Sequence, residues 1–310
     1  MQPLKSVEIC AGGGGQALGL ELAGFAHQVL VEINAWACQT LRLNRPQWNV
    51  LEADVRAFNA SSLGAVDLLS GGVPCPPFSR AGQRLGAADD RDLFPTAIRL
   101  VSECRPKAVL IENVAGLMDP PFSDYRSGIT AQLHELGYSC DWRVLQASEF
   151  GVPQSRQRTF LVAFRDCPTS TFRWPVPDGT SLTVGLALKD LMSTNGWELA
   201  DAWAHAADRA APTLVGGSTR HGGADLGPTR ARRAWATLGV DGRSLANTPP
   251  DPGFRGMPRL TARMTARIQG FPDDWQFAGG KTAVYRQVGN ALPPPVATAI
   301  GMSIASALRH

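Results

Sequence analysis

The chain has 310 residues, 44% of them hydrophobic and 18% charged, with 32 Gly and 23 Pro. That is the profile of a globular protein of roughly two domains at ~150 residues each; it excludes a disordered chain, a coiled coil and a collagen. The formal charge is only +3, no run of ~18 apolar residues predicts a membrane span, and the N-terminus does not read as a secretory signal.

In chain order, KSVEIC at 5–10 reads as a short strand running into AGGGG. A helix is predicted over Gln16–Leu22, a strand over His27–Ile33, a helix over Ala35–Asn44 and a short strand over Asn49–Glu52. VDLLS at Val66–Ser70 reads as a buried strand ending at GGVPCPPFS. Leu93–Cys104 reads as a helix, Ala108–Glu112 as another buried strand, and Ser127–Leu136 as a helix. Strands follow at Ser139–Gln146 and Arg158–Phe164. Short apolar strands alternating with helices predict βαβ units and a mostly parallel sheet, an α/β fold.

The pattern breaks near Arg173. Residues 174–256 are rich in Gly, Pro, Thr and Arg with weak periodicity, which predicts a second, smaller domain. Helical patterning returns over Leu260–Gly270 and in the apolar stretch Val296–Leu308. From Arg209 to Arg267 there are ten Arg and three Asp, with no Lys and no Glu. A basic region on a mildly acidic body points to an anionic partner; the alternative is a solvated Arg-rich surface. The six cysteines, at 10, 38, 75, 104, 140 and 167, form no C-x-x-C pair. They are read as reduced thiols of a cytoplasmic protein with no metal site.

The run Gly12-Gly13-Gly14-Gly15 joins the first strand to the first helix, where glycine permits a tight turn and close approach to a ligand. Glu32 ends the second strand, 20 residues after Gly12, where a nucleotide-binding sheet places a carboxylate for ribose hydroxyls. Asp54, after the third strand, is placed to receive an adenine amino group. NAD and S-adenosylmethionine both fit this pattern.

Cys75 sits in Gly71-Gly72-Val73-Pro74-Cys75-Pro76-Pro77-Phe78-Ser79, directly after a buried strand. Prolines stiffen such a loop and fix the direction of the thiol, which suits a nucleophile. A lone Cys is more often a core filler, but this loop is too polar and too rich in Gly and Pro for core packing. Glu112-Asn113-Val114 ends the next strand, near Cys75; a capping role for Glu112 is the alternative. In QSRQR, strand alternation points Arg156 and Arg158 to one face, either to clamp a phosphate or base carbonyl or to form a salt-bridged strand edge.

These blocks, in this order, resemble the DNA cytosine-5 methyltransferase family of bacterial restriction–modification type. The resemblance rests on EICAGGGGQALGLELAGF, GGVPCPPFSRAGQR, IENVAGL, FGVPQSRQRTFLVAF, RLTARMTARIQGFPDDW and QVGNALPPPVATAIG, and leaves out roughly 174–256. It implies a Rossmann-like S-adenosylmethionine-dependent sheet with a smaller, irregular target-recognition domain. The catalytic domain is then discontinuous, 1–173 with 282–310, and 174–281 holds the recognition domain and hinge. The resemblance further implies that Cys75 adds to C6 of a flipped-out cytosine in double-stranded DNA. Glu112 would meet N3, Arg158 the base O2, Asn113 would position Glu112 or the loop, and Arg156 would support the site or contact phosphate.

On the cofactor side the resemblance assigns Cys10, Ala11, Gly12, Gly14 and Gly15 in the glycine turn. It adds Glu32 and Ile33 at the ribose, Asp54 and Val55 at the adenine, Pro74 and Leu93 in the wall, and Asn290 and Ala291 from the far C-terminus. DNA contacts are expected from Ser79, Arg80, Arg220, His221, Arg230, Arg232 and Arg233, the last five in loops. The protein is expected to act as a monomer, off the membrane, with a cognate restriction endonuclease as a functional partner. Three positions depart from the family pattern: Glu8 for Asp, Cys10 for an aromatic, and Met264 for Glu. The other readings are a tRNA methyltransferase of the same family, a non-catalytic DNA-binding protein and a nicotinamide oxidoreductase; the last leaves the Pro-Cys loop unexplained.

Overall fold

The computed structural model describes residues 2–74, 92–166, 171–177, 179, 181–217 and 223–309. Seven strands form one sheet: β1 (Leu4–Ile9), β2 (Phe25–Glu32), β3 (Val50–Glu52), β4 (Leu68–Gly72), β5 (Ala108–Val114), β6 (Tyr138–Gln146) and β8 (Gln157–Arg165). Their order is β3-β2-β1-β4-β5-β8-β6. Neighbours are parallel except at β8, which runs antiparallel to both β5 and β6.

The central strands are continuous apolar runs because both of their faces are covered. In β4 and β5, Leu69, Val109 and Ile111 face one layer, with Phe94, Leu100, Ile129 and Leu133. That layer is built from α3 (Phe94–Cys104) and α4 (Ser123–Glu135). The alternate residues Leu68, Ala108 and Leu110 face the other layer, with Leu20, Val296, Ile300 and Ile304. Here α1 (Gly15–Leu22) lies against α10 (Pro294–Arg309). Their approach is glycine-dependent: a Cβ on Gly19 would stand 2.4 Å from the Ala297 Cβ, and one on Gly301 2.7 Å from that of Ala23. The most apolar helical stretch, 281–309, is thus 61% buried over its most apolar window. The helix α2 (Ala35–Asn44) completes the β2–β3 crossover, with Asn34 Oδ1 capping it by accepting the Ala37 N–H.

The region expected to be irregular holds three short helices, α5 (Val184–Ser193), α6 (Ala200–Ala206) and α7 (Thr229–Ala236). A two-strand pair, β7 (Gln154–Ser155) with β9 (Ala211–Pro212), ties it to the main sheet's last turn. The helices α8 (Ala262–Ile268) and α9 (Lys281–Asn290) follow. Thr261 begins α8 by accepting the Met264 N–H, and the Met264 sulfur accepts the Thr261 N–H in return. The thioether stands in for the carboxylate of the usual capping box. Trp235, Leu238, Leu260, Met264 and Trp275 share one continuous core with Ala17 and Leu18 of α1 and Leu41 of α2. The smaller region is therefore anchored by apolar packing and not only by its linkers.

Strand order reverses at β1 and β4, since β2 and β3 build outward on one side and β5 on the other. In an open α/β sheet, that reversal opens a crevice at the carboxyl ends of the strands.

Candidate active site

A cleft of about 1050 Å³ lies at this crevice. Its lining gathers residues from four strand ends: Glu8 in β1 and Cys10 just after it, Glu32 closing β2 and Ile33 after it, Gly72 closing β4 and Pro74 beyond it, and Glu112 and Asn113 in β5. Arg158 joins them from β8, and Asn290, Ala291 and Leu292 return from the end of α9. A second cavity of about 360 Å³ adjoins it, lined by Cys10, Glu32, Ile33, Asp54, Val55, Pro74 and Leu93.

The glycine turn is shaped by left-handed backbone at Cys10 (φ 54°), Gly12 (φ 55°) and Gly14 (φ 87°). Glu32 pins the turn: one carboxylate oxygen accepts the Gly12 N–H at 2.7 Å and the other the Asn34 N–H at 2.8 Å. Gly15 lies against the far end of the chain, because a Cβ there would meet the Leu292 carbonyl oxygen at 2.1 Å. Gly14 is the exception among the expected cofactor residues. It is absent from the cleft lining, and its Cβ direction meets Trp275 and Leu41 instead. Its role is the turn and its packing.

Asp54 Oδ1 accepts from both the backbone N–H and the Nε of Arg56, which holds its carboxyl below the usual carboxylate range. Burial pushes the Cys10 thiol up to about 12, helped by Glu32 and Glu8, so it stays neutral and serves as a wall. Burial, reinforced by Glu32, also raises the pKa of Glu8 well above the ordinary value. One Glu8 oxygen, Oε2, is buried with no partner among the described residues.

At the next strand end, Glu112 is 9% exposed and its Oε1 lies 2.9 Å from Arg158 Nε. Asn113 Nδ2 donates to the Val73 carbonyl at 3.0 Å, two residues before Cys75. The β5 end thus carries a buried carboxylate and also holds the strand that leads into the Pro-Cys loop. Cys75, Ser79 and Arg80 lie outside the described residues, as do Arg220 and His221.

Arg156 is 1% exposed, at the break between β7 and β8. Its guanidinium donates to the carbonyls of Leu214 at 2.7 Å, Gly289 at 2.9 Å and Ala291 at 3.1 Å. Phosphate contact does not fit this burial; support of the site does. The break at Arg156 also ends the simple alternation, so Arg156 and Arg158 do not form a joint clamp. Gln154 and Gln269 extend the same network, Gln154 accepting the Leu214 N–H at 2.9 Å and Gln269 donating to the Ala291 carbonyl.

Arg230, Arg232 and Arg233 stand on the helix α7 rather than in loops. Among the described residues none of the three has a carboxylate partner, whereas Asp241 pairs both Arg243 and Arg259, and Asp273 pairs both Arg263 and Arg267. The sequence reading missed Gln16, Trp36, Arg286 and Gln287, which also line the cleft. Gln16 was hidden inside a helical pattern, and Arg286 and Gln287 belong to α9, which was not anticipated.

A family model for C-5 cytosine-specific DNA methylases matches residues 4–306. The chain belongs to that family. By family, this chain is a DNA (cytosine-5-)-methyltransferase. Among similar proteins, the Type II methyltransferase M.NgoMIV of Neisseria gonorrhoeae is 54% identical over 98% of this chain and 98% of its own length. The Type II methyltransferase M.NaeI of Lentzea aerocolonigenes is 54% identical over 99% of this chain and 76% of its own. The family fold is matched by solved structures. A DNMT2 mutant of Spodoptera frugiperda superposes with a TM-score of 0.69 at 19% identity, covering 97% of this chain and 99% of that one. The S. pombe Dnmt2 methyltransferase gives 0.66 at 20%, covering 97% and 98%.

Proposed function

We propose that this cytosine-5 methylase modifies a cytosine within a short site in duplex DNA, as a Type II modification enzyme, with S-adenosylmethionine as donor and Cys75 as nucleophile. The observation that carries the reading is the pairing at the β5 end. Glu112 is buried, held by Arg158, and placed on the same strand terminus whose Asn113 secures the approach to Cys75. The adjoining cavities suit a donor in this reading: Glu32 would take the ribose, Asp54 and Val55 border the smaller cavity, and Glu8 offers a buried oxygen without a partner among the described residues.

Cytosine C5 is a poor nucleophile. Attack of the Cys75 thiolate on C6 forms an S–C6 bond and moves the C5=C6 electron pair into the ring, toward C5 and N3. The Glu112 carboxyl delivers a proton to N3, which neutralises that charge, while Arg158 orients Glu112 and reaches the base O2. Bound S-adenosylmethionine would supply an electrophilic methyl group: C5 forms the new C–CH3 bond as the sulfonium S–CH3 bond breaks, and the thioether S-adenosylhomocysteine leaves. Loss of the C5 proton to a base and departure of the Cys75 thiolate restore the double bond. A stacked base hides C6, so the target nucleotide must leave the duplex. Residues 174–281 read the site in this assignment, with α7 presenting Arg230, Arg232 and Arg233 to the phosphates or base edges.

Bisulfite sequencing of DNA from cells expressing the chain tests the activity and reveals the site. Protection of one cytosine in one short sequence is expected, and its loss in Cys75→Ser. Protection that persists in Cys75→Ser removes the nucleophile assignment; no protected cytosine in the wild type removes the proposed activity.

A further inference from the structure

Gln16 lies in the first turn of α1, is 5% exposed and lines the large cleft. Both of its side-chain polar atoms, Oε1 and Nε2, are buried without a hydrogen-bond partner among the described residues. A buried amide with both ends unsatisfied is a standing cost to the fold, and a glutamine kept only for packing would be more stable as a methionine of similar shape. The orphaned oxygen of Glu8 lines the same cleft. The helix itself starts from Gly14, which offers no side-chain cap, and so leaves its N-terminal end favourable to negative charge.

Resting on the cofactor reading above, we propose that Gln16 is a specificity-determining residue for the amino-acid end of the donor. The ligand chemistry it fits is a zwitterion. Its Nε2 donates to the α-carboxylate, which the start of α1 also favours, and its Oε1 accepts from the α-ammonium beside Glu8. One amide thereby satisfies both of its ends on one ligand group. The ribose and adenine are left to Glu32 and Asp54.

The test separates the two ends of the ligand. S-adenosylhomocysteine carries the amino-acid group, and 5′-methylthioadenosine has the same nucleoside without it. Both are titrated calorimetrically into the wild type and into Gln16→Met, whose melting temperature is measured alongside. Gln16→Met is expected to melt no lower than the wild type. It is expected to bind S-adenosylhomocysteine about 10- to 100-fold more weakly, the usual effect of losing hydrogen bonds to charged groups. Its affinity for 5′-methylthioadenosine is expected to stay within about twofold. Unchanged binding of S-adenosylhomocysteine, or equal weakening of both ligands, overturns the assignment of Gln16. A wild type that binds neither ligand overturns the cofactor reading itself.

Discussion

Gly15→Ala probes how the two ends of the chain meet. The added methyl carbon would stand 2.1 Å from the Leu292 carbonyl oxygen and 3.1 Å from the Ala291 Cβ. Ordinary contact begins at 3.4 Å, so the backbone after α9 must retreat by the difference, 1.3 Å. Backbone cannot swing aside as a flexible side chain can. Overpacking of this kind costs about 1–3 kcal/mol of stability. The same retreat carries Asn290 and Ala291 out of the cleft wall, and a tenfold loss of nucleoside affinity corresponds to about 1.4 kcal/mol. Urea unfolding measures the first effect and calorimetric titration with S-adenosylhomocysteine the second. The control is Gly128→Ala inside α4, where an added Cβ meets nothing within 4 Å. It is expected to stabilise by about 0.8–1 kcal/mol through helix propensity. A Gly15→Ala variant with wild-type midpoint and wild-type affinity would refute the claim that this contact closes the site.

Replacing Arg230, Arg232 and Arg233 together by Ala should flatten the dependence of log affinity for duplex DNA on log salt by up to about 2.7, at about 0.9 for each phosphate no longer neutralised; an unchanged slope in fluorescence anisotropy would show that α7 faces away from DNA. The half-buried His27 should make stability pH-dependent. Its Nε2 donates to the Ala17 carbonyl and its Nδ1 accepts from Ser6, and burial lowers its pKa from 6.5 against the opposing pull of Ala17 and Glu21. The unfolded chain then binds the proton first as pH falls below about 6.5, so the stabilisation present at pH 7 declines toward the lowered folded-state value. Between pH 7 and pH 5 the wild type should lose more urea resistance than His27→Phe, and equal losses would count against the half-buried neutral imidazole.

The cleft was legible in the sequence because each of its walls begins where an unmistakable apolar strand stops. VLV, VDLL and AVLI read as buried strands, and the residues just beyond them then sit at the sheet's carboxyl edge. Glu32, Pro74, Glu112 and Asn113 follow directly. The small helices were less legible. The helix α7 buries one side chain, Trp235, and α6 only Ala200 and Trp203, so neither carries a helical stripe. Helices this short depend on tertiary packing rather than on their own propensity. Val184, Leu188 and Met192 of α5 do recur at a helical interval, but they were lost among flanking Gly and Thr. The role of Arg156 could not be read locally, since its partners Gly289 and Ala291 lie more than 130 positions away. Net charge in 209–267 likewise says nothing about pairing. Among the described residues, partners for Arg209, Arg243, Arg255, Arg259, Arg263 and Arg267 leave the unpaired arginines of that stretch on one short helix.

The seat of Leu292 against Gly15 also has a consequence for biosynthesis. The two halves of that contact leave the ribosome 277 residues apart, which at about 5–20 residues per second is a delay of roughly 14–55 s. Until then the face of α1 that receives α10 is a bare apolar groove on a nascent chain. Newly made protein thus has no finished cleft during translation, because Ala291 and Leu292 line it.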